Sequence, residues 1–173
     1  RKVWIGMRVR RVLYIWKSND IIDKDNLAFL TGLSTMQPLM IKKLILENAK
    51  YHDKDLTLLD IDFSKAYDST EKFAKDMALR RLGFPQEGLD LWQLYDDTRE
   101  MQVITAYGIT DPITPECGAW GQGAVESPIR WLALMCWLSQ YVEMNSIQPY
   151  TITVKGEETK FTKTIYADDG TYF

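Results

Sequence analysis

The chain has 173 residues, of which 46% are hydrophobic and 26% are charged. This composition is typical of a globular domain with its own hydrophobic core, and it excludes an intrinsically disordered chain. The formal net charge of −3 excludes an overall basic character, the usual sign of a nucleic-acid partner. The longest apolar run, from Trp131 to Leu138, is too short to span a bilayer, so we expect no membrane partner.

Cysteine and histidine are scarce. Cys117, Cys136 and His52 are too few for a structural zinc site of the usual kind, and they predict free thiols in a reducing compartment. The basic first residues are not followed by an apolar core of signal-peptide length or by a cleavage site. We therefore expect an intracellular protein, but the sequence does not distinguish cytoplasm, nucleus and organelle. Because the chain starts at Arg1 and stops at Phe173 inside an expected strand, we expect a fragment of a longer protein.

The first predicted element is an amphipathic helix from Ile5 to Trp16. Residues 1–17 contain no acid and the following cations: Arg1, Lys2, Arg8, Arg10, Arg11 and Lys17. A patch of this kind is suited to binding phosphates, but it is equally typical of the solvated face of a helix. A second helix is predicted from Met36 to Tyr51, with Ser34 or Thr35 available to cap it.

The rest of the chain contains both strands and helices. The apolar run at residues 56–63 predicts a buried central strand. The following pattern predicts helices at 70–81 and 86–99, a strand at 101–107, a glycine-rich loop at 112–123, a helix from Pro128 to about Met144, and a hairpin formed by 150–154 and 159–166. These elements predict one α+β unit, a small and mostly antiparallel sheet with helices packed on one face.

Two adjacent acids follow the last predicted strand, in Tyr166-Ala167-Asp168-Asp169. Adjacent side chains on a regular strand point to opposite faces, but at a tight hairpin corner both can approach one site. Two close anions raise each other's pKa unless a cation intervenes, and Mg²⁺ prefers carboxylate oxygens. The alternative is an Asp-Asp-Gly turn that only joins two strands.

Two further stretches carry chemistry in the same order along the chain. Asp62 ends an apolar strand, where a carboxylate is costly to desolvate unless it is paired or bound to metal; the alternative is an acid that faces solvent. Gln122 and Gly123 precede Ser127-Pro128, which is a natural helix start, and glycine lets the backbone approach a ligand. A plain glycine-rich connector with a good cap is the alternative there.

Taken together, the acid at a strand end, Gln-Gly-x-x-x-Ser-Pro and Tyr-Ala-Asp-Asp resemble motifs A, B and C of the reverse transcriptase family. Residues 26–35 resemble the fingers segment of that family, and residues 82–85 resemble its Leu-Gly-aromatic-Pro element. The resemblance covers about residues 20–173 and is nearest to the non-LTR retrotransposon and group II intron branch. It implies partial fingers at 1–55 and a polymerase palm at 56–173, truncated at both ends, with the thumb absent.

The resemblance implies an RNA-directed DNA polymerase of a retroelement, which adds dNTPs to a primer 3′-hydroxyl by two-metal nucleotidyl transfer. Its partners would be an RNA template, a DNA primer and dNTPs, and no protein partner is indicated. Asp62, Asp168 and Asp169 would be catalytic and would bind two Mg²⁺ ions, or Mn²⁺. Asp60 shares the strand face of Asp62, but the family spacing selects Asp62. Without a thumb, the fragment alone is expected to be inactive.

Other residues match the family pattern. Tyr67 stands where the family carries an aromatic steric gate against ribonucleotides, with plain packing as the alternative. The implied substrate contacts are Phe63, Tyr67, Gln122 and Gly123, and the implied nucleic-acid contacts are Tyr166, Ser127, Arg10 and Arg11. Residues 119–121 and Glu126 depart from the family pattern. This departure bears on how the template would be bound more than on the chemical step. Two other functions remain open: an RNA-directed RNA polymerase with the same palm, and an inactive palm that serves as an RNA-binding scaffold.

Overall fold

A computed structural model describes residues 2–64, 66–67, 70–98, 100–114, 124–145 and 148–173. Gln122, Gly123 and Cys117 lie outside these residues. Within the described ranges, no helix has the length and apolar character that crossing a membrane requires. Cys136 is a buried free thiol, and burial raises its pKa to about 11.

The described residues form a mixed α+β architecture, which confirms the predicted class. The helices are α1 (Lys2–Ser18), α2 (Met36–Tyr51), α3 (Lys72–Arg81), α4 (Gln86–Asp97) and α5 (Ser127–Asn145). The strands are β1 (Leu59–Asp62), β2 (Ile104–Thr105), β3 (Gly108–Ile109), β4 (Tyr150–Val154), β5 (Glu157–Phe161), β6 (Lys163–Tyr166) and β7 (Asp169–Tyr172). The bounds of α2 are those predicted. Helix α5 carries Pro128 in its first turn, where a backbone amide would have no partner within the helix, so the missing N–H of proline costs nothing.

A three-stranded antiparallel sheet has the order β1-β7-β6. The prediction of a buried central strand at 56–63 is wrong, because β1 lies at the edge of this sheet and exposes Leu59, Asp60 and Asp62. The edge position follows from strand pairing, since β1 pairs only with β7 among the described strands, and the two acids Asp60 and Asp62 account for the exposure of one face of the strand. A carboxylate is too costly to bury without a partner, so this face stays open.

The predicted strand at 159–166 is divided in two. β5 pairs with β4 in a separate two-stranded sheet, whereas β6 pairs with β7. The division falls at Thr162, whose carbonyl accepts a hydrogen bond from the amide of Phe173 at 2.9 Å. The chain therefore passes from one sheet to another at this residue.

Helix α5 joins the helical core to the three-stranded sheet. Its residues Ile129, Leu132 and Cys136 are fully buried against α1, α3 and α4. Trp131 and Met135 of the same helix pack against Ile165 of β6 in a second core. Each such side chain contributes about 1.5–3 kcal/mol by leaving water. This packing fixes the sheet relative to the helices.

A buried ionic group, the Lys163 cluster, connects the loop before α2 to the sheet and to α5. The ammonium of Lys163 lies 2.7 Å from Glu143, 3.2 Å from Asp23 and 3.6 Å from Asp25, and its side chain is 0% exposed. Ser139 also donates a hydrogen bond to Asp23. Burial alone would lower the pKa of Lys163, but the hydrogen bond to Glu143 and the charges of Asp23 and Asp25 raise it.

Candidate active site

The acids that the sequence singles out meet at one end of the three-stranded sheet. Asp62 is the last residue of β1, Asp169 is the first residue of β7, and they are directly opposite each other. Tyr166 pairs with Asp169 from the other neighbouring strand. Opposite residues share a sheet face with Cβ atoms about 5 Å apart. The fold therefore brings Asp62 and Asp169 together from distant parts of the sequence.

Asp168 lies in the two-residue turn that joins β6 to β7. Ala167, the first residue of that turn, has φ of 58°, a left-handed conformation that residues with a Cβ atom rarely adopt. The indole N–H of Trp131 donates a hydrogen bond to the carbonyl of Ala167 at 2.8 Å. This bond fixes the turn that carries Asp168 from the side of α5.

The charges of the acids act on one another. The pKa of Asp169 lies above its usual value, first because of partial burial and then because of the charges of Asp168 and Asp62. Among the residues that the structure describes, no cation pairs with these three acids. Holding them close therefore costs free energy, which a bound cation would recover.

Asp60 is in the opposite situation, although it lies on the same face of β1. Lys42 donates to both of its carboxylate oxygens at 2.7 Å, and Thr171 donates at 2.6 Å. These hydrogen bonds, those of Lys42 first and then that of Thr171, lower the pKa of Asp60. Asp60 is thus already paired with a cation, whereas none of the described residues provides a cation that pairs with Asp62.

The donor chemistry of the three acids suits a hard divalent cation, since Mg²⁺ and Mn²⁺ prefer carboxylate oxygens. Within the described ranges, however, no group of three His, Cys, Asp or Glu side chains is already arranged to hold a metal ion. The sheet register fixes the backbone positions of Asp62 and Asp169, while their side-chain torsions stay adjustable. The residues therefore fit such an ion by type and by strand position.

A groove of about 420 Å³ runs along this face of the sheet, beside α2. Its lining includes Leu39, Lys42, Asp62, Tyr166 and Asp169. Thr164 also lines the groove, and its buried hydroxyl has no hydrogen-bond partner among the described residues. An unsatisfied buried hydroxyl is costly, but this one is shielded from the groove and is not a ready contact for a ligand.

Phe63 and Tyr67 follow β1 and pack against the same tryptophan. The Trp131 ring centroid lies 5.6 Å from that of Phe63 and 5.7 Å from that of Tyr67. The pKa of Tyr67 is raised by burial first and then by the charge of Asp168. Tyr67 thus lies near the acidic turn, and its contact with a substrate stays a prediction.

The remaining expected site residues are dispersed. Arg10 and Arg11 are exposed on α1, and Arg11 lines a different groove, which α1 forms with α4. Ser127 is buried at the start of α5. The positions of Gln122 and Gly123 relative to the acids stay predictions, because both residues lie outside the described ranges.

Sequence reasoning missed two residues of this region, Trp131 and Lys42. An indole in the middle of an apolar helix gives no sign that its N–H has a partner at the turn. Lys42 could have been sought as a counter-ion for one of the two acids of β1, but the sequence does not show which acid it pairs with.

No protein-family model matches the chain, and no curated protein matches it. The resemblance to reverse transcriptases therefore stays a prediction that rests on the motif residues.

Proposed function

We propose that the chain is the fingers–palm part of an RNA-directed DNA polymerase of a retroelement. The observation that carries this proposal is the register of β1 and β7. It sets Asp62 opposite Asp169, beside the turn that contains Asp168, with no neutralising cation among the described residues. A nucleotidyl transferase needs such uncompensated acids, because its substrates arrive with divalent cations.

The residues have separate roles in this mechanism. Asp62, Asp168 and Asp169 would hold two Mg²⁺ ions, which when bound favour deprotonation of the primer 3′-hydroxyl and neutralise the triphosphate. The sheet holds Asp62 and Asp169 at a fixed separation, which aligns the primer end with the nucleotide. The groove beside Tyr166 and Thr164 would receive nucleic acid, and its apolar wall at Leu39 would exclude water.

Tyr67 supports the choice of DNA over RNA as the product. Its ring is backed by Trp131 and lies near Asp168, so it cannot move freely away from an incoming nucleotide. A ring fixed there would meet the 2′-hydroxyl of a ribonucleotide and leave room for a deoxynucleotide.

Replacement of Tyr67 by valine should raise the use of ribonucleotides relative to deoxynucleotides by at least about tenfold, because the fixed ring is removed. The measurement is single-nucleotide primer extension on an RNA template by the full-length protein, with kcat/KM determined for dNTP and rNTP. Tyr67→Phe is the matched control, since it keeps the ring and should keep the preference.

A wild-type protein that already prefers ribonucleotides would contradict the proposal and favour an RNA-directed RNA polymerase. Absence of primer extension by the wild-type full-length protein would instead favour the scaffold function.

A further inference from the structure

The indole of Trp131 contacts three separate parts of the proposed active site. Its N–H donates to the carbonyl of Ala167 in the acidic turn. Its ring packs edge-on against Phe63 and at a tilt against Tyr67, both of which follow β1. Trp131 itself is 2% exposed and is anchored in α5. One side chain therefore connects α5, the turn of Asp168 and the segment that begins at Asp62.

The turn depends on an outside contact of this kind. Ala167 has a left-handed backbone conformation, which glycine adopts more easily than alanine. Such a conformation persists only where the surrounding structure holds it in place. The hydrogen bond from Trp131 is the contact that α5 makes with the Ala167 carbonyl, and it fixes the peptide that precedes Asp168.

The ring has a second role, which is independent of its N–H. Phe63 and Tyr67 both follow β1, and the ring centroid of each lies within 6 Å of that of Trp131. Trp131 contacts the Ala167 carbonyl as well as the ring of Tyr67, so the acidic turn and Tyr67 are near neighbours. A change of the Trp131 ring would therefore alter the distance between Asp168 and Tyr67.

We propose that Trp131 is a positioning residue of the active site: it sets the acidic turn and the ring of Tyr67 relative to each other through one indole. This inference rests on the proposed function, because it concerns the arrangement of the same acids. Trp131 touches neither substrate nor metal in this role.

Two variants separate the functions of the indole. In the first, 3-benzothienylalanine replaces Trp131; it keeps the ring shape and substitutes sulfur for the N–H. In the second, Trp131→Phe removes the N–H and part of the ring. Trp92→Phe is the matched control, since Trp92 is also buried and stacks on Phe84 in the helical core. All three are compared with wild type below their melting temperatures.

The first readout is amide hydrogen exchange of Asp168 and Asp169, measured by NMR, and the second is the affinity for Mn²⁺. Loss of one hydrogen bond should speed exchange and weaken Mn²⁺ binding about three- to tenfold in both Trp131 variants. Trp92→Phe should leave both values as in wild type. Only Trp131→Phe should also lower the selection of dNTP over rNTP by the full-length protein.

Exchange rates in the Trp131 variants that match those of Trp92→Phe would overturn the proposal. Faster exchange with unchanged Mn²⁺ affinity would also overturn it, since Trp131 would then stabilise the turn without positioning the acids. Failure of the wild type to bind Mn²⁺ would count against the proposed function itself. In that case the exchange rates of the turn still decide whether Trp131 holds it.

Discussion

Primer extension by the full-length protein is expected to fall about a hundred- to a thousandfold when Asp168 is replaced by asparagine. The substitution keeps the size of the side chain and removes one negative charge from the acidic turn. Groups placed where charge develops in the transition state commonly contribute this much to kcat. The measurement is single-turnover extension of a DNA primer on an RNA template with saturating dNTPs and Mg²⁺.

Asp60→Asn is the matched control for this variant. It removes the same charge from the same sheet, but from a residue that Lys42 and Thr171 already bind. It should therefore retain most of the activity. Equal extension by wild type and Asp168→Asn would remove the catalytic role that we propose for the acidic turn.

Replacement of Lys163 by methionine should lower the free energy of unfolding by about 3–5 kcal/mol. Methionine fills a similar volume but leaves Asp23, Asp25 and Glu143 without their shared cation. Asp23 is largely buried, so its charge cannot be hydrated instead. Urea unfolding followed by circular dichroism measures the loss.

Lys42→Met is the control for the buried position of Lys163. It also breaks an ion pair, with Asp60, but the Asp60 carboxylate is 61% exposed. Exposed pairs contribute up to about 1 kcal/mol, so the loss should stay within that range. Equal losses in the two variants would show that burial of the Lys163 cluster does not matter.

The pH dependence of the Lys163 cluster has a defined sign. The pKa of Lys163 is raised, so its stabilisation is complete below the usual value of 10.5 and is lost as the pH rises through the folded value. The pKa of Asp25 is raised as well, by burial first and then by Asp23. The cost of Lys163→Met should therefore shrink at acidic pH, where the orphaned carboxyl groups become protonated.

Local patterns were sufficient to predict α2, the start of α5 and the hairpin at Ala167. These elements depend on neighbours in the sequence, namely helix periodicity, a proline in the first turn and a two-residue connection. The edge position of β1 was not predictable in this way, because it depends on which strands pair. The break at Thr162 likewise depends on the pairing of β6 with β7 and not with β4.

The acids of the candidate site could be predicted from the sequence, but the side-chain contacts that hold them in place could not. The spacing of Asp62, Asp168 and Asp169 singled them out, and the register of β1 and β7 places two of them opposite each other. Trp131 reaches Ala167 across 36 residues, and Lys163 pairs with acids from two distant segments, the loop of Asp23 and Asp25 and the helix α5. Such contacts arise from the packing of distant elements, which leaves no periodic pattern.

The most direct measurement is a thermal unfolding series of the chain with increasing Mn²⁺ or Mg²⁺. A cation that binds only the folded state raises the melting temperature as its concentration exceeds its Kd. Without metal, Asp169→Asn should be more stable than wild type, because the raised pKa of Asp169 shows that its charge is disfavoured in the fold. The effect of metal on wild type should weaken as acidic pH protonates Asp169.

We expect the divalent cation to raise the melting temperature of wild type and of Asp60→Asn, and to leave Asp62→Asn and Asp169→Asn nearly unchanged. A wild-type chain that does not respond to either cation, or an Asp62→Asn variant that responds as wild type does, would contradict the proposal that these acids form a metal-dependent active site.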